Sequence, residues 1–233
     1  HEFGNPLHAF DLDKIEGQSI HVRKAFPNES LTTLDGQERE LHENDLVIAD
    51  QNKAMCLAGV YGGAHSGVIT STTSVMIEAA WFHPVTIRKT ARRHGLNTDA
   101  SFRFERGVDP ESVRLAAKRC ARLIQDWSGA RLVGAIEFAD TSPVSGCQVD
   151  LSLEWLSRFL GVQLEVDRIR SILASLDIQI QKESEDRWHV KVPAYRSDVT
   201  RPADVAEEIL RIHGFDHVPI PERMTGTLEI PSK

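Results

Sequence analysis

Alternation of apolar and polar residues predicts several short strands in the first ~140 residues. The strand-like runs are Ser19–Ala25, Asp45–Ala49 and Ser74–Ala80, and polar turns such as Leu34-Asp35-Gly36 separate them. These strands cluster without regularly alternating helices. The pattern therefore predicts an α+β fold with a mixed sheet rather than a doubly wound one.

One long helix is predicted after these strands. Apolar residues recur at helical spacing from Val113 to Trp127. The preceding Asp109-Pro110-Glu111 offers a cap, a first-turn proline and an acidic group at the positive helix end. Gly129 is expected to end the helix.

A small, polar, proline-containing stretch at Thr141–Gly146 predicts a domain boundary. We accordingly expect a first domain at residues 1–142 and a second at residues 143–218. Residues 219–233, with prolines at 219, 221 and 231, are expected to form a linker or tail.

The second domain is predicted to be small and winged-helix-like. Its expected elements are a helix ending at Gly161, a helix at Val166–Asp177, two strands around Ile178–Ile180 and Trp188–Val192 joined by Glu183–Arg187, and a helix from Pro202 to Gly214.

Composition places the chain among ordinary globular proteins. It has 233 residues, of which 41% are hydrophobic and 26% charged, and no apolar run long enough for a transmembrane helix. His1–Pro6 lacks the features of a signal peptide. The three cysteines suit neither a disulfide framework nor a zinc ribbon, so a cytoplasmic location is expected, with no membrane partner.

Charge is unevenly distributed. The net charge is −7, yet residues 88–131 carry 11 basic and 5 acidic side chains, a local net charge of +6. This basic segment is either a solvated helical surface or a surface that faces phosphates.

Three short motifs are unusual as a set: Gly4–Asp11 with a histidine after a Gly-Pro turn, the glycine-rich Ala58–Gly67, and the polar, basic Arg92–Gly107. Together with Ile77–Ala80, they resemble the B3/B4 editing domain of bacterial phenylalanyl-tRNA synthetase β subunits. The second domain resembles the B5 domain that follows it in that family. The resemblance covers nearly the whole chain in the same order.

Glu78 interrupts the apolar run Val75–Phe82, so its carboxyl is expected to point into a partly apolar region. An unpaired buried carboxylate is costly and needs either a partner or a role; a salt-bridged or edge-strand glutamate is the alternative. The resemblance implies that this glutamate reads the phenolic hydroxyl of a mischarged tyrosine.

The resemblance further implies an editing pocket with six other members, namely His8, Ala58, Gly59, Gly62, Thr98 and Ala100. Glycines at 59 and 62 would allow backbone amides to approach a ligand, or would simply form a tight turn. No Ser-His-Asp or Cys-His arrangement is evident, so hydrolysis by a positioned water is expected. A Thr-Asn pair that the family places upstream would precede His1, and the fragment alone is therefore expected to edit poorly.

Four basic residues are candidates for holding the tRNA 3′ end through phosphate contacts, namely Arg88, Lys89, Arg92 and Arg93.

An acidic group marks the second domain. Asp204, Glu207 and Glu208 share one helical face by their spacing, and Asp198 can reach the same side. Such a cluster either complements a helix N-terminus or suits Mg²⁺. The resemblance implies the second, with a magnesium ion shared with an α subunit.

The resemblance also implies partners and a reaction. The parent would be an α2β2 enzyme that joins phenylalanine to tRNA(Phe) with ATP, and the ATP would not be bound by this chain. Two other classes stay open on the residues alone: a non-catalytic winged-helix module that binds tRNA or DNA, and a free-standing trans-editing protein.

Overall fold

The computed structural model describes residues 2–134, 137 and 146–219. Contacts between Cα atoms divide the chain into two compact units, His1–Val144 and Ser145–Lys233. The predicted boundary stretch lies outside the described residues except for Gly146, and so does the predicted tail beyond residue 219. Among the described residues, no helix has both the length and the apolar character needed to cross a bilayer.

The first unit contains eight strands and three helices in its described part. The strands are β1 (Leu7–Asp11), β2 (His21–Lys24), β3 (Ser30–Thr32), β4 (Glu38–Glu40), β5 (Leu46–Ala49), β6 (Ala54–Leu57), β7 (Tyr61–Gly62) and β8 (Val75–Ala79). The helices are α1 (Pro84–Arg93), α2 (Asp99–Phe104) and α3 (Val113–Ser128).

Antiparallel pairing organises these strands into three small sheets. β2, β5, β6 and β7 form one sheet in that order, whereas β1 pairs with β8 and β3 pairs with β4. The strands β5 and β6 are almost entirely buried because α1 contacts β5 and the β3–β4 hairpin contacts β6. This coverage explains their continuous apolar sequence, which lacks the alternation of a half-exposed strand.

The core of the first unit surrounds this sheet. Its fully buried side chains include Phe10, Val47, Ile48, Leu57 and Ile87. Residues from β1, β5, β6 and α1 thus share one core. The strand pair β1–β8 is thereby fixed beside the four-stranded sheet.

The start of α3 differs from the prediction. The helix begins at Val113, and Ser112 occupies the capping position without a side-chain cap. The Asp109 carboxylate instead accepts a hydrogen bond from the Glu111 amide (2.9 Å), and the Asp109 carbonyl accepts one from the Ser112 hydroxyl (2.9 Å). Asp109 therefore closes a turn before the helix. The predicted end is confirmed, because Gly129 adopts the left-handed conformation at the C-cap.

The second unit combines a three-stranded antiparallel sheet with three helices in its described part. Its elements are β9 (Gln148–Ser152), α4 (Leu153–Leu160), α5 (Val166–Ser175), β10 (Gln179–Glu183), β11 (Arg187–Lys191) and α6 (Pro202–His213). The strand order is β10-β11-β9, so the predicted hairpin gains a third strand that the sequence pattern did not indicate.

This unit has its own core. Trp188 and Val190 project from β11 and are 1% and 0% exposed, and they pack with Leu156, Leu173 and Ile209 from the three helices. Gly161 ends α4 in the left-handed conformation, as predicted. The α+β fold class is confirmed, with helices and sheets in both units. The predicted mixed sheet is wrong, because all strand pairs among the described residues are antiparallel.

Candidate functional site

The strand pair β1–β8 places His8 directly opposite Glu78. Opposed residues of an antiparallel pair project to the same face, so the imidazole and the carboxyl share one surface. Glu78 is half-buried, and within the described part of the chain its carboxyl has no hydrogen-bond or ion-pair partner. Burial raises the pKa of this carboxyl to about 7. Near neutral pH the group therefore exists in both protonation states.

The Nε2 atom of His8 also lacks a hydrogen-bond partner among the described residues. This atom is buried, and the His8 ring meets Phe10 edge-on at 4.5 Å between centroids. Burial lowers the pKa of His8, which favours the neutral imidazole. Because buried polar atoms are normally paired, two unpaired groups on one face indicate a place where a ligand or water completes the bonding.

Gly62 lies against this face. A Cβ atom at Gly62 would come within 3.0 Å of His8 Cε1 and 2.8 Å of Leu34 Cδ1. The absent side chain thus leaves room for the His8 ring and for Leu34. A ligand was expected to approach the backbone at Gly62, and in the structure the side chains of His8 and Leu34 approach it.

Gly59 serves packing instead. Its φ is +66°, and a Cβ atom there would lie 2.8 Å from Phe82, 3.0 Å from Ile87 and 3.0 Å from Phe104. Both the left-handed backbone and the tight core explain the glycine without a ligand.

The other residues of the predicted pocket have structural contacts of their own. The Ala58 side chain is 1% exposed, and its amide donates to the Leu46 carbonyl at 3.0 Å. The Thr98 hydroxyl donates to the Val60 carbonyl at 2.8 Å and caps α2. Ala100 packs against the core of the first unit. The structure thus brings His8, Gly62 and Glu78 together, and ties Thr98 to the same glycine-rich loop.

The Cys56 thiol is a buried reactive group that the charge of Glu78 influences. Burial raises the pKa of this thiol well above the ordinary value, and the negative charge of Glu78 raises it further. A thiol held in its protonated form is a weak nucleophile. Cys56 is therefore a poor nucleophile in this arrangement.

Two cavities open elsewhere on the first unit. One, of about 360 Å³, is lined by residues that include Lys14, Lys53 and Ser66, and the other, of about 460 Å³, by residues that include His21 and Phe26. Neither is lined by His8 or Glu78. The candidate site is a half-buried face of a strand pair and does not coincide with either cavity.

The four basic candidates of α1 divide into two groups. Arg88, Lys89 and Arg92 are exposed, and among the described residues none of the three forms an ion pair. Arg93 differs, because its guanidinium binds the fully buried Asp45 carboxylate. The phosphate contact predicted for Arg93 therefore stays a prediction, for a side chain that already pairs with a buried carboxylate.

Asp45 organises the end of α1. Its carboxylate also accepts a hydrogen bond from the Thr90 hydroxyl (3.1 Å), lies 2.7 Å from His94 Nε2, and accepts from the His42 amide (2.9 Å). Burial opposes its ionisation, but the hydrogen bonds from His94 and the His42 amide lower the pKa of Asp45 below the usual range.

The carboxylates predicted to bind magnesium are engaged by arginines. Asp198 binds Arg196 at 2.9 Å, and Glu208, 9% exposed, binds Arg196 at 3.0 Å and Arg211 at 2.6 Å. The Arg196 hydrogen bond, followed by that of Arg211, lowers the pKa of Glu208.

Asp204 is engaged in capping. It accepts hydrogen bonds from the Arg201 guanidinium (2.8 Å) and from the amides of Thr200 (3.0 Å) and Arg201 (2.9 Å), which lowers its pKa. Glu207 is exposed. Among the described residues, no three His, Cys, Asp or Glu side chains are placed to hold a metal ion. Arginines pair with three of the four carboxylates, so the donors as arranged do not fit Mg²⁺.

Sequence reasoning missed three residues around the candidate site, namely Leu34, Arg39 and Cys56. Leu34 was interpreted only as part of a turn, although it is an apolar residue within a polar stretch. That contrast was the available signal. Nothing in the sequence indicated that Arg39 reaches the end of α1, 55 residues away.

The family models match both units. The B3/4 domain model matches residues 1–129, more than half of the chain, and the tRNA synthetase B5 domain model matches residues 149–215. The chain therefore belongs to the B3/4 domain family and carries a tRNA synthetase B5 domain. The resemblance seen in the sequence is therefore confirmed.

The curated relatives of this chain are phenylalanine–tRNA ligase β subunits. The chain is 48% identical over 219 residues to the phenylalanine–tRNA ligase β subunit of Porphyromonas gingivalis. The aligned region covers 94% of this chain and 27% of that protein. It is 43% identical over 228 residues to the β subunit of Bacteroides fragilis, with 98% and 28% covered. The chain spans about a quarter of the length of the relatives it matches.

A solved structure is also similar. It is an N-terminal fragment of the phenylalanyl-tRNA synthetase β subunit from Pyrococcus horikoshii, 16% identical, with a TM-score of 0.44 and coverage of 87% of this chain and 58% of that chain.

Proposed function

We propose that this chain is a segment of a phenylalanine–tRNA ligase β subunit and that its first unit hydrolyses mischarged tyrosyl-tRNA(Phe). One observation carries the proposal: in a B3/4 domain, a half-buried carboxyl and a neutral imidazole face each other on one strand pair without partners among the described residues. A tyrosine hydroxyl would complete the bonding of Glu78.

The physical reason for such a site lies in the limits of apolar recognition. An apolar pocket rejects an analogue that adds one hydroxyl by only about a hundredfold, so a second, hydrolytic site improves accuracy. A site that hydrogen-bonds the hydroxyl disfavours phenylalanine, because the polar group of the site would then stay buried and unpaired. Glu78 has the burial and the open bonding capacity for this role.

The hydrolytic step would use water. The Cys56 thiol is kept protonated, whereas a neutral His8 has a nitrogen that can accept a hydrogen bond. In the proposal, the aminoacyl ester lies near His8 and Gly62, and water attacks the ester carbonyl. The amino acid leaves as a carboxylic acid and the tRNA regains its free ribose hydroxyl.

Partners and cofactors follow from the relatives. We infer an α2β2 assembly in the cytoplasm that ligates phenylalanine to tRNA(Phe) with ATP at the α subunit, so this chain would not aminoacylate. Binding of Mg²⁺ at Asp198, Asp204, Glu207 and Glu208 in that assembly would require Arg196, Arg201 and Arg211 to release their carboxylates.

The decisive experiment compares Glu78→Gln with Glu40→Gln, an exposed glutamate on β4, in the full-length β subunit assembled with its α subunit. Hydrolysis of tyrosyl-tRNA(Phe) and phenylalanyl-tRNA(Phe) is measured for each. Glutamine can still hydrogen-bond the tyrosine hydroxyl but has lost the charge, and a hydrogen bond to a charged group contributes about 1 kcal/mol more than a neutral one, so we expect Glu78→Gln to reduce the preference for the tyrosyl ester about fivefold. The proposal is wrong if the preference is unchanged, or if the unaltered enzyme does not hydrolyse the tyrosyl ester.

The tRNA is proposed to contact the exposed basic face of α1. Alanine at Arg88, Lys89 and Arg92 should weaken tRNA(Phe) binding and lower the slope of log affinity against log salt by about 0.7 for each lost phosphate contact. Alanine at Lys118, Arg119 and Arg122 on α3 is the charge-matched control. Equal effects of the two triple variants would argue against a specific contact at α1.

A further inference from the structure

Arg39 connects two segments that are distant in sequence. It lies in β4, and its side chain is 13% exposed. Its guanidinium donates to Thr33 Oγ1 (3.0 Å), Asp35 Oδ2 (2.8 Å), Gln37 Oε1 (3.1 Å) and the His94 carbonyl (3.0 Å). The first three acceptors belong to the β3–β4 turn, residues 33–37. The fourth lies at the end of α1.

Each of these two segments is also bound to the glycine-rich loop. On one side, the Leu34 amide donates to the Gly62 carbonyl at 3.0 Å. On the other side, the Thr98 hydroxyl donates to the Val60 carbonyl at 2.8 Å. The turn, the segment 94–98 and the loop therefore form a closed ring of contacts, which we call the Arg39 ring.

The His94 end of this ring is anchored. His94 Nε2 lies 2.7 Å from the carboxylate of the fully buried Asp45, and only 7% of the His94 side chain is exposed. The acceptor of Arg39 is therefore held by a second, buried contact. A displaced guanidinium would lose this bond, because the His94 carbonyl cannot follow it.

The opposite end of the Arg39 ring, at Leu34 and Gly62, lies next to His8 of the candidate site. Leu34 Cδ1 and His8 Cε1 both approach the position that a Cβ atom at Gly62 would take, at 2.8 and 3.0 Å. Leu34 is nevertheless 56% exposed. An exposed leucine held by backbone bonding beside an unpaired histidine provides an apolar surface on which a side chain of the substrate can rest.

We propose that Arg39 is a positioning residue of the candidate site. By closing the Arg39 ring, it holds Leu34 and Thr98 in fixed places on the glycine-rich loop, and so orients the aminoacyl group beside His8. Arg39 itself touches no substrate. This inference rests on the proposed hydrolytic function, because the orientation of the aminoacyl group matters only if that group is hydrolysed there.

The test uses Arg39→Met and Arg39→Lys in the full-length β subunit assembled with its α subunit. The control is Arg23→Met, since Arg23 is 20% exposed and pairs with Glu29 at 2.7 Å in the same unit. Hydrogen exchange is followed in peptides that cover residues 33–37 and 94–101. Arg39→Met should accelerate exchange in both peptides together, Arg39→Lys less so, and Arg23→Met in neither.

Kinetics separate positioning from mere stability. A small displacement at a site of reaction lowers the rate strongly, so Arg39→Met should lower kcat for tyrosyl-tRNA(Phe) hydrolysis about tenfold or more while KM changes less than about twofold. Arg39→Lys should restore part of kcat. Phenylalanine ligation should be unaffected in all variants.

Each outcome bears on a distinct statement. Unchanged exchange in both peptides overturns the inference about Arg39, whatever the activity. Faster exchange with an unchanged kcat also overturns it, because the ring would then have no part in positioning. A loss of kcat that Arg23→Met reproduces likewise overturns the inference about Arg39. Absence of tyrosyl ester hydrolysis in the unaltered enzyme overturns the proposed function together with the inference, whereas the Glu78 variants test that function alone.

Discussion

The Glu78 carboxyl lies in a largely apolar strand pair, where burial disfavours its ionised form. The pKa is raised to about 7 by burial, against an ordinary value of 4.5. Between these two values the folded protein keeps a proton that the unfolded chain releases. The free energy of unfolding therefore decreases as pH rises from about 4.5 through about 7, and then levels off.

This linkage gives a prediction for Glu78→Gln. Relative to this variant, the unaltered protein should lose about 1–2 kcal/mol of unfolding free energy between pH 5 and pH 8, a figure reduced because solvent screens a half-buried group. Urea unfolding at the two pH values measures it, with Glu40→Gln as control. Parallel pH profiles for the unaltered protein and Glu78→Gln would contradict the prediction.

At the residue scale, the sequence predicted what depends on local pattern. Glu78 interrupts an apolar run, and its burial could be expected from that interruption alone. Gly59 could not be understood in this way, because a glycine in a loop does not reveal which side its missing Cβ faces. The structure turns that side toward Phe82, Ile87 and Phe104.

Among the elements, α1 depends most on a single distant group. The buried Asp45 carboxylate binds Thr90, Arg93 and His94 at the C-terminal end of this helix. Cationic groups there also complement the helix dipole. The last turn of α1 is thus fixed to the strand β5, whose start directly follows Asp45.

Asp45→Asn should therefore destabilise the first unit. It leaves the Arg93 charge and the His94 ring without their anionic partner, and we expect a loss of about 2 kcal/mol. Urea unfolding measures this loss. Asp126→Asn is the control, because the exposed Asp126–Arg122 pair on α3 should contribute less than about 1 kcal/mol. Equal losses in the two variants would show that the Asp45 cluster adds nothing beyond a surface pair.

Elements with a long apolar periodicity could be predicted from the sequence. Short strands whose formation depends on pairing with a neighbouring strand could not. The helices α3 to α6 follow apolar spacing, and glycines end α3, α4 and α6, so their presence was predictable. The two- and three-residue strands β3, β4 and β7 form only because partners lie beside them. The acidic face of α6 was also predictable, but its arginine partners were not, because Arg196 reaches Glu208 from another segment.

At the scale of the whole molecule, the buried side chains of the described residues form two hydrophobic cores. One includes Val47 and Ile48, and the other includes Leu173 and Trp188. Each core is closed by elements of its own unit. The sequence predicted two such domains from one change in composition, and the boundary itself falls on residues outside the described part.

Separate cores predict separate effects of core substitutions. Leu173→Ala removes a fully buried side chain and should cost the second unit about 2–5 kcal/mol. Hydrogen exchange in urea should accelerate in β9–β11 and α4–α6 without a matching change in β5 and β6. Val47→Ala is the reciprocal control in the first unit. Acceleration of both sets of peptides by either variant would show that the two cores do not unfold independently.

The burial of Trp188 has an optical consequence. This indole is 1% exposed in the second unit, whereas Trp127 in the first unit is 83% exposed. The fluorescence of Trp188 should be blue-shifted and protected from quenching by acrylamide, whereas the fluorescence of Trp127 should be red-shifted and easily quenched. Two further tryptophans, Trp81 and Trp155, also emit, so a protein with Trp81, Trp127 and Trp155 all changed to phenylalanine would report the melting of the second unit through the growth of a red-shifted, quenchable signal from Trp188.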